Sequence, residues 1–90
     1  MKRVHVYYNG RVQGVGFRYT AVDCAVKLPI TGFVKNLPDQ RVEVLAEGKE
    51  ADLKKFLSNL EAYMSNYIQE KQICWEPATG QFSNFIIAAY

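Results

Sequence analysis

Three glycines and two arginines lie within the nine residues from Gly10 to Arg18. Apolar residues alternate before this run, as in a β-strand, and recur after it with the spacing of a helix. Glycine adopts backbone conformations that other residues avoid. A glycine-rich turn at a helix start directs backbone N–H groups and the positive end of the helix dipole toward one point. We therefore expect an anion-binding loop between a strand and a helix.

The remaining elements follow from the period of the apolar residues. Between positions 50 and 64 they recur at the i, i+3, i+4, i+7 spacing of one helix face. Pro29 restricts the residue before it and should end the first helix. Alternation over 41–48 predicts a half-buried strand, joined to its predecessor by a tight turn from Leu37 to Gln40. The predicted elements are strands over 4–8, 30–36, 41–48, 67–75 and 82–89, and helices over 19–28 and 50–64.

The element order is βαββαβ followed by a C-terminal strand, which is the split βαβ arrangement. Each helix connects parallel strands, so both helices should pack on one face of a single, mostly antiparallel sheet. The fold class is therefore α+β, with the first strand in the interior of the sheet. At this length, residues 1–90 are expected to form one domain.

Composition argues against several functional classes. The formal net charge is +2, from 11 basic and 9 acidic residues, without the clustered basic face of nucleic-acid-binding proteins. No apolar run reaches membrane-spanning length, and the first three residues lead into a strand pattern instead of a signal peptide. We therefore expect a cytoplasmic protein that binds neither nucleic acid nor a membrane.

The cysteines and the histidine give no sign of a metal site or a catalytic pair. Cys24 and Cys74 lie far apart and are expected to be buried small hydrophobic residues, with a long-range disulfide as the alternative. His5 is the only histidine and faces away from Val4 and Val6 on its strand, without a cysteine or acidic residue nearby in sequence. We predict no metal and no cofactor.

Arg18 is the first candidate functional residue. A cation in the first turn of a helix opposes the helix dipole, and a bound phosphate would explain its position. The loop lacks the Gly-Lys-Ser/Thr ending of a nucleotide P-loop, and the second strand has no acidic residue placed for a ribose. The expected ligand is therefore a single phosphoryl group.

Asn36, at the end of the second predicted strand, has two interpretations. Asparagine is common near turns, where it bonds its own backbone, but its amide can also hold a water molecule. The residue pattern contains no Cys-His, Ser-His-Asp or paired-carboxylate arrangement. If the chain is an enzyme, it therefore works without a nucleophilic side chain. It would direct water at a phosphoryl group with a good leaving group, and most of the rate would come from positioning and charge stabilisation.

Two segments resemble the signature regions of the acylphosphatase family. The first is Gly10 to Tyr19, and the second is Gly32 to Asp39 with Val42-Glu43-Val44. The likeness continues to Phe82-Ser83-Asn84-Phe85 and so spans nearly the whole chain. It implies a ferredoxin-like α/β sandwich that hydrolyses an acyl phosphate to a carboxylate and inorganic phosphate, without a cofactor. A monomer is expected at this size.

The resemblance also implies roles for particular residues. Arg18 would bind the substrate phosphate through its guanidinium, and Asn36 would orient the attacking water. The other phosphate contacts would come from the backbone N–H groups of Gln13, Gly14, Val15, Gly16 and Phe17.

The chain departs from the family pattern at several places outside these residues. Gln40 stands where glycine is usual, and a left-handed backbone there would cost about 1 kcal/mol. Pro29 follows the first helix where glycine is usual, Phe33 replaces a larger aromatic residue, and the Gly-Pro turn after the second helix is missing. These departures bear on stability and local shape.

Two other functions fit the same element order. One is a phosphate-binding regulatory domain without catalysis. The other is an RNA-binding module, which would need exposed aromatic residues on the central strands and basic flanks. The strand over 41–48 instead has Arg41, Glu43 and Glu47 on its polar side, which disfavours RNA binding.

Overall fold

The computed structural model describes residues 1–89. They form five strands and two helices: β1 (Lys2–Gly10), α1 (Phe17–Ala25), β2 (Thr31–Asn36), β3 (Val42–Gly48), α2 (Glu50–Tyr63), β4 (Ile68–Pro77) and β5 (Phe85–Ile87). The strands make one sheet in the order β4-β1-β3-β2-β5. All neighbours are antiparallel except β2 and β5. The predicted element order and the interior position of β1 are confirmed.

Both helices pack on the same face of the sheet, as expected. That face presents apolar residues of β1 and β3, among them Val6 and Val44, which lie opposite each other and are fully buried. Four residues of α2 complete this layer at the predicted helical spacing: Leu53, Phe56, Leu57 and Leu60. The smaller helix α1 contributes Phe17, Ala21, Cys24 and Ala25 to the same core.

Strand β3 is more buried than the alternating pattern predicts. All seven of its residues are buried, including Glu43 and Glu47 on the face opposite the helices. Side chains of the neighbouring strand cover these carboxylates: His5 Nε2 lies 2.6 Å from Glu43, and Arg3 Nε donates to Glu47 at 2.8 Å. The prediction of a half-buried strand was wrong because these partners are distant in sequence.

Several element boundaries also differ from the predicted ones. Helix α1 begins at Phe17 instead of position 19, because Gly16 caps it directly, and it ends at Ala25, before the turn that leads to Pro29. Strand β5 is shorter than the predicted 82–89 because it pairs with only three residues of β2.

The two cysteines have different environments. Cys24 is buried in the core as predicted, but Cys74 is exposed, so the prediction of two buried cysteines was wrong. Cys74 lies on the edge strand β4 directly opposite His5, so its side chain is on the sheet face that the helices do not cover. Both thiols are free in the described part of the chain. Within residues 1–89, no helix combines the length and apolarity needed to cross a membrane.

Candidate active site

The connection from β1 to α1 is built on two glycines with left-handed backbone. Gly14 has φ 78° and Gly16 has φ 80°, a region that other residues enter only with strain. A Cβ atom added at either position would meet no atom within 4 Å, so the glycines serve backbone conformation and not close packing. They turn the chain from the interior strand directly into the helix.

The start of α1 is arranged to attract an anion. The first N–H groups of a helix have no partner within the helix, and they lie at the positive end of its dipole. Gly16 O accepts hydrogen bonds from Thr20 N at 3.0 Å and Thr20 Oγ1 at 2.9 Å, which fixes the first turn. This turn contains Arg18 and no acidic residue.

A cavity of about 170 Å³ lies at this helix start. It brings together two residues from separate elements, Arg18 of α1 and Asn36 at the end of β2. The complete lining is Val12, Gly14, Gly16, Phe17, Arg18, Tyr19 and Asn36. The structure thus places both predicted side chains and three of the predicted loop residues around one space.

Arg18 and Asn36 are both free to bind a ligand in this cavity. Arg18 is half-buried and makes no ion pair or side-chain hydrogen bond with any other of residues 1–89. The Asn36 Oδ1 atom is buried and accepts no hydrogen bond from a described residue. Buried carbonyl oxygens nearly always have a partner, so this atom is suited to accept a hydrogen bond from a ligand or a water molecule.

Gln13 has a role that the sequence pattern does not reveal. Its side-chain Nε2 donates to Leu37 O at 2.8 Å and to Arg41 O at 3.0 Å, across the ends of β2 and β3. The glycine loop is therefore tied to the segment that immediately follows Asn36. Because the side chain is occupied, only the Gln13 backbone N–H remains as an anion donor.

The other predicted loop residues take mixed positions. Val15 packs against the core and does not line the cavity. The Phe17 side chain is buried, with its ring centroid 5.2 Å from that of Tyr8 on β1. Tyr8 is held in turn by its hydroxyl, which donates to Glu61 at 2.8 Å, and burial together with this carboxylate strongly raises the pKa of Tyr8. The first residue of α1 is thereby anchored to the sheet.

Val12 and Tyr19 line the cavity although the sequence pattern did not single them out. Their places beside Gln13 and Arg18 in the chain were the only available signal. His5 lies outside the cavity, against Glu43 on the opposite face of the sheet. Residues 1–89 contain no group of three or more histidine, cysteine or acidic side chains placed to hold a metal ion.

The fold and the cavity together define a small α+β domain with a candidate oxyanion site at a helix start. The protein-family model for acylphosphatase matches residues 4–87. The chain therefore belongs to the acylphosphatase family, whose members hydrolyse acyl phosphates. The predicted family and its hydrolase class are confirmed, and a purely regulatory function is not favoured.

Individual relatives agree with this assignment. The acylphosphatase of Syntrophus aciditrophicus is 40% identical over 88 residues, which are 97% of this chain and 92% of that protein. The acylphosphatase of Trichormus variabilis is 65% identical over 46 residues, about half of this chain (51%) and less than half of that protein (46%). The crystal structure of acylphosphatase from Bacillus subtilis superposes with a TM-score of 0.87 at 33% identity, covering 98% of this chain and 99% of that one.

Proposed function

We propose that this chain hydrolyses acyl phosphates in the cavity between the start of α1 and Asn36. The observation that carries the proposal is the buried Oδ1 of Asn36, which has no hydrogen-bond partner among residues 1–89. Asn36 lines the same cavity as Arg18, which forms no ion pair with a described residue. One side chain is suited to hold water and the other to hold an oxyanion. Their meeting at a helix start is what water attack on a phosphoryl group requires.

The phosphoryl group is held by the loop and Arg18. The backbone N–H groups from Gln13 to Phe17 donate to its oxygens, and the Arg18 guanidinium adds a planar pair of charged donors. Negative charge is spread over these oxygens in the transition state of phosphoryl transfer. Donors fixed in advance by the glycine backbone stabilise that charge without having to reorganise.

Asn36 positions the nucleophile. Its Oδ1 accepts a hydrogen bond from a water molecule and directs a lone pair of the water oxygen toward phosphorus. The new P–O bond forms as the bond between phosphorus and the acyl oxygen breaks. The leaving group is a carboxylate, whose conjugate acid has a pKa of about 4, so it departs without a proton. The protons of the water remain on the inorganic phosphate product.

The setting of the reaction is also part of the proposal. We propose that the chain acts as a monomer in the cytoplasm and does not bind nucleic acid. The exposed free thiol of Cys74 fits a reducing compartment. On the sheet face opposite the helices, the Arg41 guanidinium covers the Tyr7 ring at 4.6 Å, and Glu43 and Glu47 occupy the centre. This face offers little to a stacked base or a phosphate backbone.

The test is hydrolysis of benzoyl phosphate and acetyl phosphate by the wild type and three variants. We expect Arg18→Ala and Asn36→Ala each to lower kcat/KM by roughly 100-fold or more, the loss typical for one preorganised group of this kind. Arg11→Ala is the matched control, because Arg11 is an exposed arginine of the same loop that does not line the cavity. It should retain full activity.

Two results would contradict the mechanism. Normal turnover in either Arg18→Ala or Asn36→Ala would remove that residue from the chemistry. A wild type that binds inorganic phosphate but hydrolyses neither substrate would instead support the regulatory alternative. Circular dichroism of each variant separates loss of activity from loss of fold.

A further inference from the structure

Val12 and Tyr19 line the cavity without a role in the proposed mechanism, and of these two residues only Tyr19 is exposed. It follows Arg18 in the first turn of α1, and 71% of its surface is exposed. Its hydroxyl makes no hydrogen bond with any other of residues 1–89. Because Tyr19 both lines the cavity and is largely exposed, it lies at the cavity rim.

Exposure alone would carry no meaning, since single exposed aromatic residues are ordinary. Tyr63 illustrates this: it is 66% exposed, yet it lies near the end of α2 and does not line the cavity. Tyr19 differs from Tyr63 because it lines the cavity, where the other lining residues either have a role in the proposed mechanism or are buried. Arg18 and the glycine backbone hold phosphate, Asn36 holds water, and Val12 is fully buried.

The substrate itself indicates what reaches the rim. All acyl phosphates present the same phosphoryl group. The cradle formed by the glycine loop and Arg18, which contacts only this group, therefore cannot distinguish among them. With that group at the helix start and water on the Asn36 side, the acyl group must extend out of the cavity toward solvent. Tyr19 is the exposed aromatic surface available to it there.

We propose that Tyr19 is a specificity-determining residue that packs against the acyl group of the substrate. The substrates it favours are acyl phosphates whose acyl group is aromatic or otherwise large and apolar, in preference to acetyl phosphate. This inference rests on the proposed function of the cavity. The gain in binding free energy for these substrates comes from contact of the acyl group with the Tyr19 ring and from removal of apolar surface from water.

The experiment compares kcat/KM for benzoyl phosphate and acetyl phosphate in the wild type, Tyr19→Ala, Tyr19→Phe and Tyr63→Ala. We expect Tyr19→Ala to lose about 3- to 10-fold with benzoyl phosphate, the range of an aromatic pair, mainly through a higher KM. With acetyl phosphate, which has only a methyl group to offer, the change should stay within about 2-fold. Tyr19→Phe keeps the ring and should behave as the wild type, and Tyr63→Ala should change neither substrate.

Inhibition by inorganic phosphate reports on the cradle separately and should be unchanged in Tyr19→Ala. Equal losses with both substrates, or no loss with either, would overturn the role of Tyr19 while leaving the proposed hydrolysis intact. A wild type inactive toward both substrates would overturn the proposed function itself, and the Tyr19 proposal with it.

Discussion

Glu47 should account for a large share of the stability of the C-terminal part of the fold. Its buried carboxylate accepts four hydrogen bonds, from Arg3 Nε at 2.8 Å, Thr79 N at 2.9 Å, Thr79 Oγ1 at 2.8 Å and Gly80 N at 2.9 Å. Burial would raise the pKa of Glu47, but these donors outweigh it and lower the pKa from 4.5 to about 2. The carboxylate thus ties the connection between β4 and β5 to the central strand.

The lowered pKa determines how the contribution of Glu47 to the free energy of unfolding depends on pH, in both sign and size. The stabilisation is fully present above the unfolded value of 4.5 and is lost as the pH falls toward about 2. At about 1.4 kcal/mol per pH unit, the ionised carboxylate contributes about 3 kcal/mol at neutral pH and about 1 kcal/mol near pH 2.5. The Glu47→Gln variant keeps the side-chain shape but faces these donors with an uncharged amide, one end of which is itself a donor.

Urea unfolding followed by circular dichroism measures the difference directly. We expect Glu47→Gln to lower the free energy of unfolding by about 2 to 3 kcal/mol at neutral pH, and by about 1 kcal/mol or less near pH 2.5. Comparison of the two proteins at each pH cancels the titration of the other carboxylates. Glu70→Gln, which changes an exposed carboxylate on β4, is the control and should cost little. A Glu47→Gln deficit of the same size at both pH values would refute the reasoning.

Two further variants test features of the loop and the hairpin. Gln40 has φ 77° in the turn before β3, so Gln40→Gly should relieve backbone strain of about 1 kcal/mol. The greater conformational entropy of glycine in the unfolded chain offsets part of this gain, and we expect Tm to rise by roughly 3 °C. A lower Tm would contradict this. Gln13→Leu removes the two side-chain hydrogen bonds to Leu37 O and Arg41 O. We expect kcat to fall by roughly 10-fold or more, because the glycine loop is then no longer held in position relative to Asn36. An unchanged kcat would show that these hydrogen bonds do not position the site.

The local part of the site could be predicted from sequence because its determinants are contiguous. The glycines, the helix start and Arg18 fall within one short run, and backbone physics links that run to an anion. Asn36 was different: its residue pattern left two interpretations open, and only the resemblance to a family favoured function. The structure then placed it beside Arg18 in one cavity.

The features that sequence did not predict depend on distant partners. The alternating pattern predicts that Glu47 faces solvent. Glu47 is buried because it binds Arg3, 44 positions away, and Thr79, 32 positions away. The Gln13 tie to Leu37 spans 24 positions. Cys74 was mispredicted for a related reason, since its exposure follows from its pairing with His5, which places it on the sheet face without helices, and from the edge position of β4.

The central claim is that phosphate binds in the cradle formed by the loop and Arg18, with Asn36 acting on water instead of on phosphate. Titration of the protein with inorganic phosphate, followed by amide NMR, tests it most directly. We expect the largest shifts at residues 13–18, their loss in Arg18→Ala, and their retention in Asn36→Ala. Largest shifts elsewhere, for example around His5 on the opposite face of the sheet, or unchanged binding in Arg18→Ala, would contradict the account.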